Sequence, residues 1–159
     1  MNTRTGIGFD VHMLVPDRPL ILGGLIIPHE QGLAGHSDGD VLLHAVTDAI
    51  LGGAKQGDMG THFPSNDKKY KGIASASMLQ EAITLANKGG WKPTYVDATI
   101  VAERPVLAPY IERIIIGLAN AVGVKLSEVN VKVKSTDGLG FIGRGEGISA
   151  LAVATLQLI

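Results

Sequence analysis

Two histidines and one aspartate in the first third of the chain could converge on a single metal ion. Asp10 and His12 stand in Gly8-Phe9-Asp10-Val11-His12, and His44 closes His36-Ser37-Asp38-Gly39-Asp40-Val41-Leu42-Leu43-His44. Two neutral imidazoles and a carboxylate suit a divalent transition metal, zinc best of all, and three protein ligands leave the fourth position open for chemistry. A purely structural zinc site is usually closed by four protein ligands, often thiolates, and this chain has no cysteine. The competing interpretation is a satisfied buried histidine at 44 with Asp40 serving as part of a helix cap.

Two further clusters carry polar chemistry. Gly57-Asp58-Met59-Gly60-Thr61-His62-Phe63-Pro64-Ser65-Asn66-Asp67 combines glycine, acid, hydroxyl and amide groups. Such a loop can grip a polyol and close over it, or it can be an ordinary surface loop. Lys132-Val133-Lys134-Ser135-Thr136-Asp137-Gly138-Leu139-Gly140-Phe141 reads as a strand end whose hydroxyls, lysines and free N–H groups suit phosphate oxygens. Asp137 adds a carboxylate suited to Mg²⁺; the alternative is a solvated turn. Arg144 and Glu146, two apart in Gly143-Arg144-Gly145-Glu146-Gly147, fit a surface ion pair of little energetic weight. There is no cysteine and no Gly-x-Ser-x-Gly elbow, so no evident nucleophile. Metal-assisted phosphoryl transfer requires none.

The elements that must position these groups follow from periodicity. Residues 5–12 read as a strand, which turns Asp10 and His12 to one side. Residues 19–28 read as a second strand, ending at Pro28, that could pair with the first across a loop at 13–18. Residues 39–53 read as a helix begun by Asp38 or Gly39 and ended by Gly52-Gly53. On it Asp40 and Asp48 lie one turn either side of His44, so either could accept the outer ring N–H of a metal-bound imidazole. Residues 54–71 form a long polar loop, 72–88 a helix stopped by Gly89-Gly90, 94–102 a β-branched strand and 106–122 a helix. Residues 128–135 are a strand. Residues 147–158 alternate apolar and smaller side chains and read as a strand, with a helix as the alternative given their alanine content.

This order predicts an α+β fold, an α/β sandwich in a single domain spanning 1–159, whose mixed sheet carries helices on one face. The other, apolar face would be buried in an oligomer. A formal charge of −1 and the lack of a basic run argue against nucleic acid and anionic membranes. No apolar stretch approaches a membrane span, and the N-terminus reads as strand rather than signal peptide. Glycine is abundant, 21 residues, and clustered where tight turns or close backbone approaches are expected.

Taken in order, segments 8–12, 36–48, 57–64, 99–109 and 132–147 resemble the 2-C-methyl-D-erythritol 2,4-cyclodiphosphate synthase family of the non-mevalonate isoprenoid pathway, over essentially the whole chain. The resemblance implies zinc on Asp10, His12 and His44. It implies contacts of His36 and Ser37 with substrate phosphates, and of Asp58, Gly60 and Phe63, with Ser65 and Asp67 nearby, with the methylerythritol portion. The backbone of Ala102, Pro105, Val106, Leu107 and Ala108 would hold cytosine. Lys134, Ser135, Thr136, Phe141 and Arg144 would complete the substrate-binding set, joined by Asp10, His12 and Asp137; His36 and Thr136 are the expected catalytic side chains. Asp137 would bind a second cation, Mg²⁺ or Mn²⁺. The implied assembly is a homotrimer with active sites between subunits and a central cavity where Arg144 and Glu146 could meet an isoprenoid diphosphate. The implied location is the cytoplasm, or the plastid stroma for a processed plant or algal chain.

The implied reaction is intramolecular. The 2-phosphate of 4-diphosphocytidyl-2-C-methyl-D-erythritol 2-phosphate attacks the β-phosphorus, CMP leaves and a cyclic diphosphate forms. Three positions depart from the family pattern. Asp137 replaces a usual Glu, Ser65 a frequent Asp and Val106 a frequent Lys, which weakens the expected hold on the second cation, the polyol and the nucleotide respectively. Two other functions fit the same residues: a metal-dependent phosphohydrolase in which water attacks, and a non-enzymatic trimeric binding protein for nucleotide or isoprenoid diphosphate.

Overall fold

Small residues on two neighbouring strands form a low floor on which one helix sits, and this contact organises the molecule. The structure, a computed structural model, describes residues 2–159. Strand β1 (Thr3–Pro16) pairs antiparallel with β7 (Gly147–Leu158), with Gly6 opposite Ala154, Gly8 opposite Ala152 and Asp10 opposite Ala150. Helix α1 (Val41–Gly53) lies across these positions. A Cβ on Gly6 would come 1.9 Å from the carbonyl oxygen of Ala49, and one on Gly8 would come 1.9 Å from that of Ala45. Only glycine permits such an approach, and Ala150, Ala152 and Ala154 keep the floor low beside it. The alternation in residues 147–158 is therefore that of a strand, and its alanines mark the helix seat rather than helix propensity.

The main sheet has the order β4-β1-β7-β5-β6, where β4 is Gln31–Leu33, β5 is Trp91–Val101 and β6 is Val129–Lys134. All pairings are antiparallel except β5 with β6. Helices α3 (Ser75–Lys88) and α4 (Ile111–Val122) pack on the same side as α1. Val96, Ala98 and Ile100 of β5 and Ile148 and Leu156 of β7 form the core beneath them. Two short helices, α2 (Met59–His62) and α5 (Gly140–Gly143), complete an α+β fold with a mixed sheet. The opposite sheet face stays open: Ile7 is 67% exposed, Phe9 58% and Met13 65%, with Tyr95 and Leu151 beside them. Among the described residues, no helix is long and apolar enough to cross a membrane.

Several expected elements are corrected. Residues 19–28 are not one strand paired with 5–12. They split into β2 (Leu20–Leu22) and β3 (Leu25–Ile27), a hairpin of their own turned by Gly23-Gly24, both at positive φ. β1 instead runs on into the expected loop as far as Pro16, because Leu14, Val15 and Pro16 pair with β4. Helix α1 starts after neither Asp38 nor Gly39. Asp40 is its cap, accepting the N–H of Leu43 at 3.1 Å. Helix α3 begins at Ser75 rather than 72, after an extended Ala74. The 106–122 helix begins as a 3₁₀ turn at Ala108–Tyr110, and β5 starts earlier than expected, at Trp91. The 54–71 loop contains α2 and a 3₁₀ turn at Lys68–Tyr70.

Candidate active site

The two side chains that follow Gly8 on the helix face of β1 are Asp10 and His12, and α1 delivers His44 to them. Three atoms meet: Asp10 Oδ2 lies 2.8 Å from His12 Nε2 and 2.9 Å from His44 Nδ1, and the two nitrogens are 3.1 Å apart. Among the described residues this is the one group of three or more His, Cys, Asp or Glu side chains gathered closely enough to share a metal ion.

The outer nitrogens decide what the inner ones offer. His12 Nδ1 faces the carbonyl of Ala34, which can only accept, so that nitrogen carries the proton and Nε2 presents a lone pair. His44 Nε2 meets Ser75 Oγ at 2.9 Å and Ser37 Oγ at 3.0 Å. The expected partners of this nitrogen, Asp40 and Asp48, bond other groups, although Asp48 lines the same cleft. Asp40 is buried and accepts the N–H groups of Gly23 and Gly24 as well as that of Leu43, tying α1 to the β2–β3 turn. Asp48 accepts the N–H of Met59 at 2.7 Å and so anchors α2 at the rim.

A carboxylate oxygen and two imidazole lone pairs within 3.1 Å of one another repel unless a cation lies between them. On a tetrahedral ion with bonds of about 2.0–2.1 Å, ligand atoms stand about 3.3–3.4 Å apart, about 0.2–0.6 Å more than the sides of this triangle, so a small outward adjustment of the three side chains admits the ion. The donor set therefore fits a zinc-like ion. Charges agree. Burial opposes ionisation of Asp10, but the imidazoles of His12 and His44 outweigh it and hold the carboxyl well below the usual range. Burial likewise disfavours charge on His12, yet Asp10 beside it lifts the imidazole above its ordinary value. Burial is also the main cause of the raised Asp40 carboxyl, pushed up to about 6 against the pull of its backbone donors.

A cleft of about 230 Å³ opens on the triangle. Of the residues expected in the site, His36, Ser37, Phe63 and Ser65 line it with Asp10, His12 and His44. Met59, Tyr70 and Met78 line it too and were not expected; Phe63, Tyr70 and Met78 form a small apolar cluster, the two rings edge to face. Asp58, Gly60 and Asp67 do not line the cleft. Asp58 caps α2 through Thr61, and Asp67 caps the 3₁₀ turn while its carbonyl meets His36 Nε2 at 3.0 Å.

A second cavity, about 170 Å³, is lined by Ala102, Pro105, Val106, Leu107, Ala108, Lys134 and Ser135, with Glu103 and Val133. It collects the residues expected around cytosine and shares none with the metal cleft. Thr136 and Asp137 lie on the loop just beyond. The Thr136 hydroxyl donates to the carbonyl of Leu139 at 2.7 Å, and Glu103 accepts the N–H groups of Thr136 and Gly138. Asp137 belongs to no metal-sized group among the described residues. Phe141 lines a third, apolar cavity of about 540 Å³ with Val11, Met13 and Glu146, towards the open sheet face. Arg144 and Glu146 form a two-pronged, exposed ion pair at 3.1 and 3.2 Å.

The YgbB family model matches residues 3–157. The chain is 53% identical over 153 residues to the 2-C-methyl-D-erythritol 2,4-cyclodiphosphate synthase of Alkaliphilus oremlandii, an overlap of 96% of this chain and 98% of the relative. Its fold is similar to a solved 2C-methyl-D-erythritol-2,4-cyclodiphosphate synthase in its CDP-bound form, with a TM-score of 0.89 and 34% identity over 97% of this chain and 100% of that one. It is also similar to the bifunctional IspDF of Campylobacter jejuni, with a TM-score of 0.95 and 38% identity over 99% of this chain and 43% of that longer one.

Proposed function

Since this chain belongs to the YgbB family, that of the 2-C-methyl-D-erythritol 2,4-cyclodiphosphate synthases, we propose that it folds a cytidylated methylerythritol phosphate around one cation and closes it into a ring. It is a lyase of the non-mevalonate isoprenoid pathway. The substrate is 4-diphosphocytidyl-2-C-methyl-D-erythritol 2-phosphate. The oxygen of its 2-phosphate bonds to the β-phosphorus, the bond from that phosphorus to the α,β-bridging oxygen breaks, and CMP leaves with the electron pair. The observation that carries this reading is the triangle of acceptor atoms on Asp10, His12 and His44 at the floor of the cleft.

The attacking phosphate is already anionic, so the protein needs no general base. Its work is to bring two anionic ends of a flexible molecule together, for which proximity can contribute on the order of 7–11 kcal/mol in favourable cases. Asp10, His12 and His44 would hold zinc, which when bound supplies a Lewis acid for an oxygen of the β-phosphate. His36 and Ser37, which line the same cleft, would contact phosphate oxygens. Phe63 would close over the methylerythritol carbons, with Ser65 at its polar edge. Asp58 and Asp67 each cap a turn of that loop through one carboxylate oxygen, and their carboxylates would also meet the polyol hydroxyls. Asp137 would hold Mg²⁺ or Mn²⁺ as a single carboxylate, leaving the remaining positions to phosphate oxygens and water, the usual preference of Mg²⁺.

The cytidine would bind along Ala102, Pro105, Val106, Leu107 and Ala108. Because that cavity shares no residue with the metal cleft, a site built by two subunits supports the reading. The open face bearing Ile7, Phe9 and Met13 suits burial in a homotrimer, whose central cavity would offer Phe141, Arg144 and Glu146 to an isoprenoid diphosphate. A cytoplasmic location goes with this reading.

Mass-spectrometric identification of products from the cytidyl substrate tests the proposal. Cyclic diphosphate plus CMP is the expected outcome. An open-chain phosphate would make the protein a phosphohydrolase, and tight binding without turnover would make it a binding protein; either overturns the proposal.

A further inference from the structure

A cation on the triangle requires His44 to present a lone pair at Nδ1, and a neutral imidazole does so only when its proton sits on Nε2. We propose that Ser75 and Asp38 are positioning residues that lock His44 in this tautomer, a role that rests on the cation-binding reading above. The proton count runs outward from a carboxylate. Asp38 Oδ2 accepts the backbone N–H of Ser75 at 3.0 Å, while its Oδ1 accepts the Ser75 hydroxyl and the N–H of Asp40. A carboxylate can only accept, so the Ser75 proton is committed to Asp38. The Ser75 oxygen, 2.9 Å from His44 Nε2, therefore turns a lone pair to the ring, and the proton between them belongs to the imidazole.

Ser37 does not compete for that role. Its oxygen accepts the N–H of Gly39 at 3.2 Å and lies 3.4 Å from Ser75 Oγ, an acceptor within reach of the Ser37 proton, so Ser37 can accept from the ring as Ser75 does. The arrangement is rigid. Ser75 is fully buried and is the first residue of α3, a helix whose preceding Ala74 has no side chain to cap it. Asp38 supplies that cap from the approach to α1. Two backbone bonds, Gly72 N–H to His36 and Asp38 N–H to Ile73, join the two segments on either side. The start of α3 is thereby fixed to the imidazole of a histidine 31 residues away.

The test uses the full chain. Zinc affinity is measured by chelator competition on the parent and on Ser75→Ala, Ser75→Thr and Asp38→Asn, and the His44 tautomer of the zinc-free parent is read from ¹⁵N shifts of the ring. The parent is expected to show the Nε2–H form. Ser75→Ala and Asp38→Asn are expected to weaken zinc by about 10- to 100-fold, the usual effect of losing an outer partner of a metal-bound histidine, with Ser75→Thr restoring most of the affinity. An Nδ1–H ring or an even mixture in the parent overturns the proposal, and that measurement needs no variant to fold. Zinc held by Ser75→Ala within twofold of the parent overturns it as well. If the variants lose zinc but the loaded parent makes no cyclic product, the proposed function fails and the positioning role stands. If the parent cyclises and Ser75→Ala keeps its zinc, only the positioning role fails.

Discussion

Replacing Gly8 by alanine tests whether the seat of α1 sets the metal site. The new Cβ would lie 1.9 Å from the Ala45 carbonyl oxygen and 2.7 Å from the nitrogen of Ala49, where real Cβ contacts stay beyond 3.0 Å. Helix α1 must withdraw by roughly 1 Å, a shift of the kind that overpacking imposes at about 1–3 kcal/mol of stability. His44 precedes Ala45 and moves with it. Metal sites tolerate ligand displacements of only about 0.2 Å, so a shift several times larger removes His44 from the triangle and should weaken zinc by at least about 100-fold. Gly6→Ala is the control. Its Cβ would also meet a carbonyl oxygen at 1.9 Å, but that of Ala49, more than a helical turn beyond His44. Both variants should melt several degrees lower in zinc-free form, while chelator competition should show the larger affinity loss in Gly8→Ala. Equal losses in the two variants, or parental zinc affinity in Gly8→Ala, would refute the reasoning that local helix seating sets ligand geometry.

Three further outcomes are expected. In the zinc-free protein His12 is raised above 6.5, so its stabilisation is complete below that pH and fades as pH rises through the folded value; Asp10 is depressed below 3.8, so its contribution holds above 3.8 and fades in acid. Urea titrations of zinc-free protein should therefore show these contributions peaking between those limits, and zinc affinity should fall as pH drops below the His12 value because the ring must shed its proton to bind. Asp40→Ala strips the acceptor from three backbone N–H groups and should lower unfolding free energy by about 3 kcal/mol, given about 1 kcal/mol for a cap and about 1–3 for a buried unpaired donor; a loss under 1 kcal/mol by urea unfolding contradicts that role. Asp137→Glu, with its longer reach, should lower the Mg²⁺ concentration that activates turnover and leave zinc affinity unchanged; an unaltered Mg²⁺ activation curve rules out Asp137 as that ligand.

The ligands were legible because their types and local spacing carry the chemistry. Asp10 and His12 two apart on a strand, and His44 on an apolar helix, are local patterns. What brought the two pieces together was written in residues with little signal of their own: Gly6 and Gly8 inside the expected first strand, and the β7 alanines, which left a helix open as the alternative to a strand. The β2–β3 hairpin was missed because an apolar run interrupted by Gly23-Gly24 looks like one strand until both positive φ values turn it back. The partners of His44 were misassigned for a related reason. Helical spacing nominates Asp40 and Asp48, but Asp40 caps the helix and Asp48 holds α2, while Ser75 arrives from another helix that no spacing rule connects to His44. The loop acids Asp58 and Asp67 offer chemistry suited to a polyol, and one oxygen of each also accepts a turn N–H two or three residues on.

The most direct measurement is zinc back-titration of the metal-stripped protein, following cyclic diphosphate released from the cytidyl substrate with Mg²⁺ in excess. Activity should be absent after stripping, return in proportion to added zinc and saturate at one equivalent per chain. Cyclisation at the full rate by protein free of zinc would contradict the account.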